Sequence, residues 1–313
     1  MATQLVVGAG PIGTAVATLL AESGDEVRLV SRSGSGPQHA RIDRVSADAS
    51  DSERLGALAA QAATVFNCVN PAYHRWPTDW PPIAAALLAA AERSGAVLAT
   101  ASNLYGYGPV EGVMTEDLPL AATGPKGRVR ARMFADALAA HKAGRLRMTE
   151  VRGSDYVGPG AESHLGERVV PRLLAGRKAS VVGSADQPHS WTYTLDMARM
   201  LVTAAGDERA WGRAWHAPSN APRTQRDAVA DLAAVAGVPA VGVSVAPKVA
   251  LTVMGLVNPT VRELKETLYQ FERPFVMDSS AAQQTFGLAP TPWDEVLAAT
   301  LRSYGWAGAA AAA

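Results

Sequence analysis

Val6-Val7-Gly8-Ala9-Gly10-Pro11-Ile12-Gly13, the stretch VVGAGPIG, decides how the rest of the chain is read. Its glycines stand in the pattern G-x-G-x-x-G, a weak signal alone in a sequence with 28 glycines. The setting strengthens it. Gln4–Val7 reads as a strand, Pro11–Ser23 as a helix and Glu26–Val30 as the next strand, which puts the glycines at the turn of a βαβ unit. Pro11 suits a first helical turn, where its missing N–H costs nothing, and Gly24 suits the stop. In such a turn the first glycine permits the bend and the second lets a pyrophosphate approach the backbone. The third lets helix and strand pack closely, with the helix N-terminus facing the phosphates. Gly8, Gly10, Pro11, Ile12 and Gly13 are therefore expected to hold the diphosphate of a dinucleotide; the competing reading is a plain strand-to-helix turn.

The end of the second strand bears on which dinucleotide. An NAD site commonly places Asp or Glu there, roughly 20 residues past the glycines, to hold the ribose 2′-hydroxyl. This chain has Leu29-Val30-Ser31-Arg32-Ser33 instead. Arg32 can grip a 2′-phosphate bidentately and Ser31 can donate to it, so NADP(H) is expected ahead of NAD(H). A solvated Arg32 in a loop is the alternative.

Working outward, Asp43–Ser46, Thr64–Cys68, Ala96–Thr100 and Arg147–Arg152 are further strand candidates, and Ser52–Ala62, Ile83–Ser94 and Arg128–Ala143 helix candidates. Regular alternation of this kind predicts an α/β fold with a parallel sheet covered on both faces. From about Gly153 the punctuation changes to Pro, Gly, His and Trp, with helices expected at Thr194–Ala204, Thr224–Ala236 and Asn258–Phe271. The division expected is a dinucleotide-binding domain over 1–157 and a mainly substrate-binding lobe over 158–313, some of whose segments return to the first domain.

Composition narrows the function. Hydrophobic residues make up 48% of 313, and 29 Lys+Arg balance 29 Asp+Glu, so the chain reads as globular, with no electrostatic footprint for nucleic acid or an anionic membrane. A single cysteine, Cys68, permits no intramolecular disulfide. No apolar run reaches the roughly 18–20 residues of a bilayer span, and the N-terminus lacks a signal-peptide pattern. A soluble cytoplasmic protein, monomer or homodimer, is expected. The six histidines show no H-x-x-x-H spacing, so no metal site is expected, and neither a nucleophile elbow nor a P-loop lysine is present.

Several segments, in order, resemble the extended short-chain dehydrogenases/reductases, the group of NAD(P)-dependent epimerases and dehydratases. These are Val6–Arg32, Asp48-Ala49 after the third strand, Asn67–Pro71 after the fourth, Asn103-Leu104-Tyr105-Gly106, Arg152–Pro159 (RGSDYVGP) and Trp191–Ala198 (WTYTLDMA). The resemblance implies a Rossmann-type doubly wound sheet with a smaller C-terminal substrate lobe. It implies that Asp48 and Ala49 lie by the adenine, and Asn67, Val69 and Asn70 by the nicotinamide ribose. The chain is an atypical member on this reading. The family's Tyr-x-x-x-Lys pair, in which Tyr is the general acid or base, is missing, and counting from Tyr105 puts Lys126 and Arg130 in those places.

Tyr105, Lys126 and Ser102 are left as catalytic candidates, and Arg130 as a candidate ribose or phosphate holder. Lys126 and Arg130 have an equally simple reading as solvated cations on a helix face. Tyr73, His74, Tyr107, Tyr156 and Trp191 are candidate substrate walls, with Trp191 alternatively filling a core. The expected function is NADPH-dependent reduction of a carbonyl or enone in a small organic molecule. The alternatives are an NAD(P)-dependent epimerase or dehydratase, and a non-catalytic NADP(H)-binding redox sensor.

Overall fold

The computed structural model describes residues 2–308 other than 248, 250–252, 254, 255, 257 and 258. Five strands, β1 (Thr3–Val7), β2 (Glu26–Ser31), β3 (Ile42–Ser46), β4 (Ala62–Asn67) and β5 (Val97–Asn103), are joined in one parallel sheet by two later ones, Arg147–Gly153 and Arg213–His216. The order across the sheet is Arg213–His216, Arg147–Gly153, β5, β4, β1, β2, β3. The chain thus runs outward from β1 in one direction, returns, and continues in the other. The crevice where the direction reverses, between β1 and β4, is where such sheets bind ligands at their C-terminal edge.

Helices cover both faces because alternate residues of each strand point to opposite sides. Val6, Leu29 and Phe66 pack with Val16 and Leu20 of α1 (Pro11–Glu22) and with Met197 and Leu201 of the Thr194–Gly206 helix. On the other face Leu5, Val65 and Leu98 lie under α2 (Ser52–Ala59), α3 (Trp76–Ser94) and α4 (Pro125–Lys142). A separate core packs Val157, Leu173, Trp191, Leu232, Phe271 and Leu301 together.

The strands fall where the alternation put them, within three residues at each end. Two helices differ. α3 begins at Trp76, seven residues before the expected Ile83, and runs through Pro81 and Pro82. Trp76 and Trp80, one turn apart, bury their indoles at 2% and 0% exposure, and this burial offsets the hydrogen bonds the two prolines cannot make. The helix expected over Asn258–Phe271 is split at Leu268 into Pro259–Thr267 and Tyr269–Glu272; residue 258 lies outside the described residues. The seventh strand, Arg213–His216, is too short for its alternation to register in the sequence. Among the described residues no helix is long and apolar enough to cross a membrane.

Candidate functional site: the C-terminal edge of the sheet

The turn after β1 is built around its glycines. Gly8 has φ +106°, donates its N–H to the Val30 carbonyl at 2.8 Å, and lies so close to β4 that a Cβ would sit 2.4 Å from the Cys68 carbonyl oxygen. A Cβ on Gly13 would fall 1.8 Å from the Gly8 carbonyl oxygen. Gly10, directly before α1, is different: a Cβ there would meet nothing within 4 Å. Packing therefore explains two of the three glycines, and the third borders open space at a helix N-terminus. That space, at a helix end whose cap residue makes no side-chain hydrogen bond, fits a dinucleotide diphosphate, since the first N–H groups of a helix lack intrahelical acceptors.

Around it stand the other expected cofactor residues. Ser31 and Arg32 end β2, with Arg32 exposed and its carbonyl accepting from the Ser46 hydroxyl at 2.8 Å. Asp48 accepts from the Ser50 N–H and hydroxyl, both at 2.8 Å. These bonds, with Arg32 nearby, hold its carboxyl below the usual value. Ala49 is half-buried against the α2–α3 side. Asn67 is buried at the tip of β4 and its side-chain oxygen accepts from the Val69 N–H at 3.3 Å, while Asn70 is exposed. Beside them, burial pushes the Cys68 thiol up to about 12, which keeps it protonated and unreactive.

Lys126 and Arg130 are not on a solvated face. The side chain of Lys126 is fully buried; its Nζ is 2.5 Å from Glu263 Oε2 and 3.0 Å from Glu266 Oε2, and its backbone N–H donates to Glu266 Oε1 at 2.8 Å. Both carboxylates come from the Pro259–Thr267 helix, which closes over the start of α4. A lysine so committed is not a free proton donor. Arg130, 7% exposed, has its guanidinium between the indoles of Trp76 and Trp80, 4.6 and 4.5 Å from their centroids. Its Nε and Nη1 are buried without a hydrogen-bond partner among the described residues.

Three phenols gather over the tips of β4, β5 and the Arg147–Gly153 strand. Tyr156 donates to the Ser102 carbonyl at 2.5 Å, and Ser102 itself is buried. Tyr105 lies against the Trp76 ring and within 3.4 Å of the Tyr73 hydroxyl. Burial, reinforced by Tyr73 and Asp155, holds the Tyr105 phenol well above its ordinary value, so no cation activates it as a base. Burial also raises Tyr156, against the pull of Arg130. Tyr73 is half-buried, its hydroxyl 2.9 Å from Thr267 Oγ1, with Lys126 Nζ 4.6 Å from its ring centroid. Burial pushes it up to about 12, less than it would without the bonds to Thr267 and Tyr105.

Two expected substrate walls are interior instead. Tyr107, 2% exposed, spends its hydroxyl on Arg152 and His216, both at 2.8 Å, within a buried network that continues from Arg152 to Glu150 at 2.7 Å. Trp191, 3% exposed, fills the second core and donates to the Arg223 carbonyl at 3.2 Å. His74 is exposed on the turn leading into α3. The residues that sequence reasoning missed are Glu263, Glu266 and Thr267. Within TVRELKET they read as the polar side of a surface helix, and nothing local marks them as partners of residues far away in the chain.

A sequence profile of the NAD dependent epimerase/dehydratase family matches residues 4–215. Among curated proteins, none matches by sequence. Solved structures resemble the chain over nearly its whole length. The dTDP-glucose 4,6-dehydratase of Bacillus anthracis, in complex with NAD, has TM-score 0.78 at 17% identity, covering 97% of this chain and 96% of that one. The UDP-glucose 4-epimerase of Thermotoga maritima, with UDP-glucose, has TM-score 0.79 at 18% identity, covering 96% and 98%. The UDP-glucuronic acid 4-epimerase of Bacillus cereus, with UDP-glucuronic acid and NAD, has TM-score 0.77 at 17% identity, covering 96% and 98%. At these identities the structural likeness speaks for the fold, and the sequence match over two thirds of the chain speaks for descent: this protein belongs to the NAD-dependent epimerase/dehydratase family.

Proposed function

We propose that the chain holds a nicotinamide dinucleotide across the Gly8–Gly13 turn and supports hydride exchange with a small hydroxyl- or carbonyl-bearing molecule, in an epimerase- or dehydratase-type reaction. The observation that carries this is the open space at Gly10 between two glycines fixed by packing. A bound nicotinamide supplies the hydride donor or acceptor; the chain supplies position and protons. The α1 N-terminus binds the diphosphate. Ser31 and Arg32 face the adenosine ribose, and with no carboxylate between them they favour a 2′-phosphate, hence NADP(H). Ala49 borders the adenine, and Asn67, Val69 and Arg130 border the nicotinamide ribose. The unpartnered guanidinium nitrogens of Arg130 are donors in want of an acceptor, and a ribose hydroxyl is one.

One observation favours a second reading, net reduction of a carbonyl by NADPH. The phenols at the sheet edge stay protonated well above neutrality, so they give a proton more readily than they take one. The test uses two kinds of probe. With oxidised dinucleotide and UDP-glucose or dTDP-glucose, the first reading predicts a changed sugar and no net reduced nicotinamide. With NADPH and phenanthrenequinone, the second predicts steady loss of reduced nicotinamide. Neither change, in protein that binds the dinucleotide, would contradict both.

A further inference from the structure

Hydride exchange at a carbinol or carbonyl carbon needs a group that exchanges a proton with the attached oxygen. The start of α4, where the family would present a tyrosine, offers Lys126 instead, buried and held by two carboxylates. Among the three phenols at the sheet edge, Tyr156 has committed its proton to the Ser102 carbonyl at 2.5 Å. Tyr105 and Tyr73 both pack on Trp76, with ring centroids 5.8 and 5.5 Å away, but it is the Tyr73 ring that Lys126 Nζ overlies, at 4.6 Å. Tyr73 has a hydroxyl on either side of its own, Thr267 Oγ1 at 2.9 Å, which can either donate or accept, and the Tyr105 hydroxyl at 3.4 Å. It follows β4 by six residues, on the segment that starts at Asn67 beside the Gly8 turn.

We propose that Tyr73 is the residue that exchanges a proton with the substrate oxygen, approaching from the turn before α3, beside the position left by the missing tyrosine. The inference rests on the dinucleotide reading above. In the reducing direction a bound reduced nicotinamide would supply the hydride to the carbonyl carbon, and Tyr73 would give its hydroxyl proton to the carbonyl oxygen. A phenolate is left beside Lys126, to be reprotonated from water; the oxidising direction runs the same transfers backward. The groups that face Tyr73 are Lys126 from α4, Glu266 and Thr267 from the Pro259–Thr267 helix, Tyr105 from the end of β5, and Asp155 beyond the Arg147–Gly153 strand. Lys126 Nζ, 4.6 Å from the Tyr73 ring centroid, is itself paired with Glu263 and Glu266. Thr267 is the positioning residue.

The experiment needs no knowledge of the substrate. An oxidised nicotinamide ring is cationic and a reduced one is not, so NADP(+) beside Tyr73 will favour its phenolate. Tyrosinate absorbance is followed against pH with NADP(+), with NADPH and without nucleotide, and calorimetry on the same samples confirms binding. The expected result is one phenol moved down by about one unit with NADP(+) only. The shift disappears in Tyr73→Phe and persists in Tyr304→Phe. Thr267→Val alters it and Thr267→Ser restores it, which a merely structural role would not do. A shift that survives Tyr73→Phe, or bound NADP(+) with no shift, overturns the proposal. Absence of binding in calorimetry instead overturns the dinucleotide reading beneath it.

Discussion

The turn at Gly8–Gly13 and the cluster around Lys126 sit at the same edge of one sheet, yet they are held together in different ways. The turn is local: its constraints come from residues within a few positions of each other and from the neighbouring strand tip. The cluster is assembled across the fold, with Lys126 meeting carboxylates 137 and 140 residues further along. The first keeps its family's pattern and the second has replaced it. The two depend on separate parts of the chain, so one pattern can change while the other is kept.

The contrast is broken most directly at the glycines. Gly13→Ala should cost roughly 4 kcal/mol or prevent folding, because the Cβ collides with a backbone oxygen that cannot move aside. Gly10→Ala should leave stability within about 0.5 kcal/mol yet weaken dinucleotide binding by about tenfold or more. Urea denaturation and calorimetry on the two variants check this, and equal stability losses would remove the argument that Gly10 is kept for a ligand.

A smaller effect is expected at the cluster. Lys126→Met removes the cation between Glu263 and Glu266, leaving two partly buried carboxylates facing each other, and should lower stability by about 3 kcal/mol. Adding Glu263→Gln and Glu266→Gln to that variant should recover most of the loss, as read by the urea midpoint. Recovery would show that the cluster is a closed structural unit; no initial loss would mean that the lysine is not committed there.

The smallest effect sharpens the cofactor assignment. Arg32→Glu, at an exposed position, should weaken NADPH by about 10- to 100-fold and NADH far less, with stability unchanged. Equal losses for the two nucleotides would return Arg32 to the solvent.

The division between these regions also sets what could be read before the structure. The strands and α1 were legible because a period of two or of 3.6 and a few turn residues specify them locally. α3 was misread at Pro81-Pro82 because local rules break a helix there, and only the tertiary burial of Trp76 and Trp80 overrides them. Gly8, Gly10 and Gly13 were legible as a group, but what distinguishes Gly10 needed the space above it. Lys126 was even-handedly solvated or functional in the sequence, and the structure buries it against Glu263 and Glu266. Its burial depends on Glu263 and Glu266, whose spacing looks like any exposed helix face. Tyr107 and Trp191 read as substrate walls, but Tyr107 is enclosed with Leu104, Met114 and Phe275, bonded to Arg152 and His216, and Trp191 lies in a separate core.

The central claim is that the Gly8–Gly13 turn binds a nicotinamide dinucleotide, and titration calorimetry of the purified protein with NADPH and with NADH tests it most directly. Saturable binding, tighter for NADPH and weakened by Gly10→Ala, is the predicted result. Binding of neither nucleotide by folded protein would contradict the account at its base.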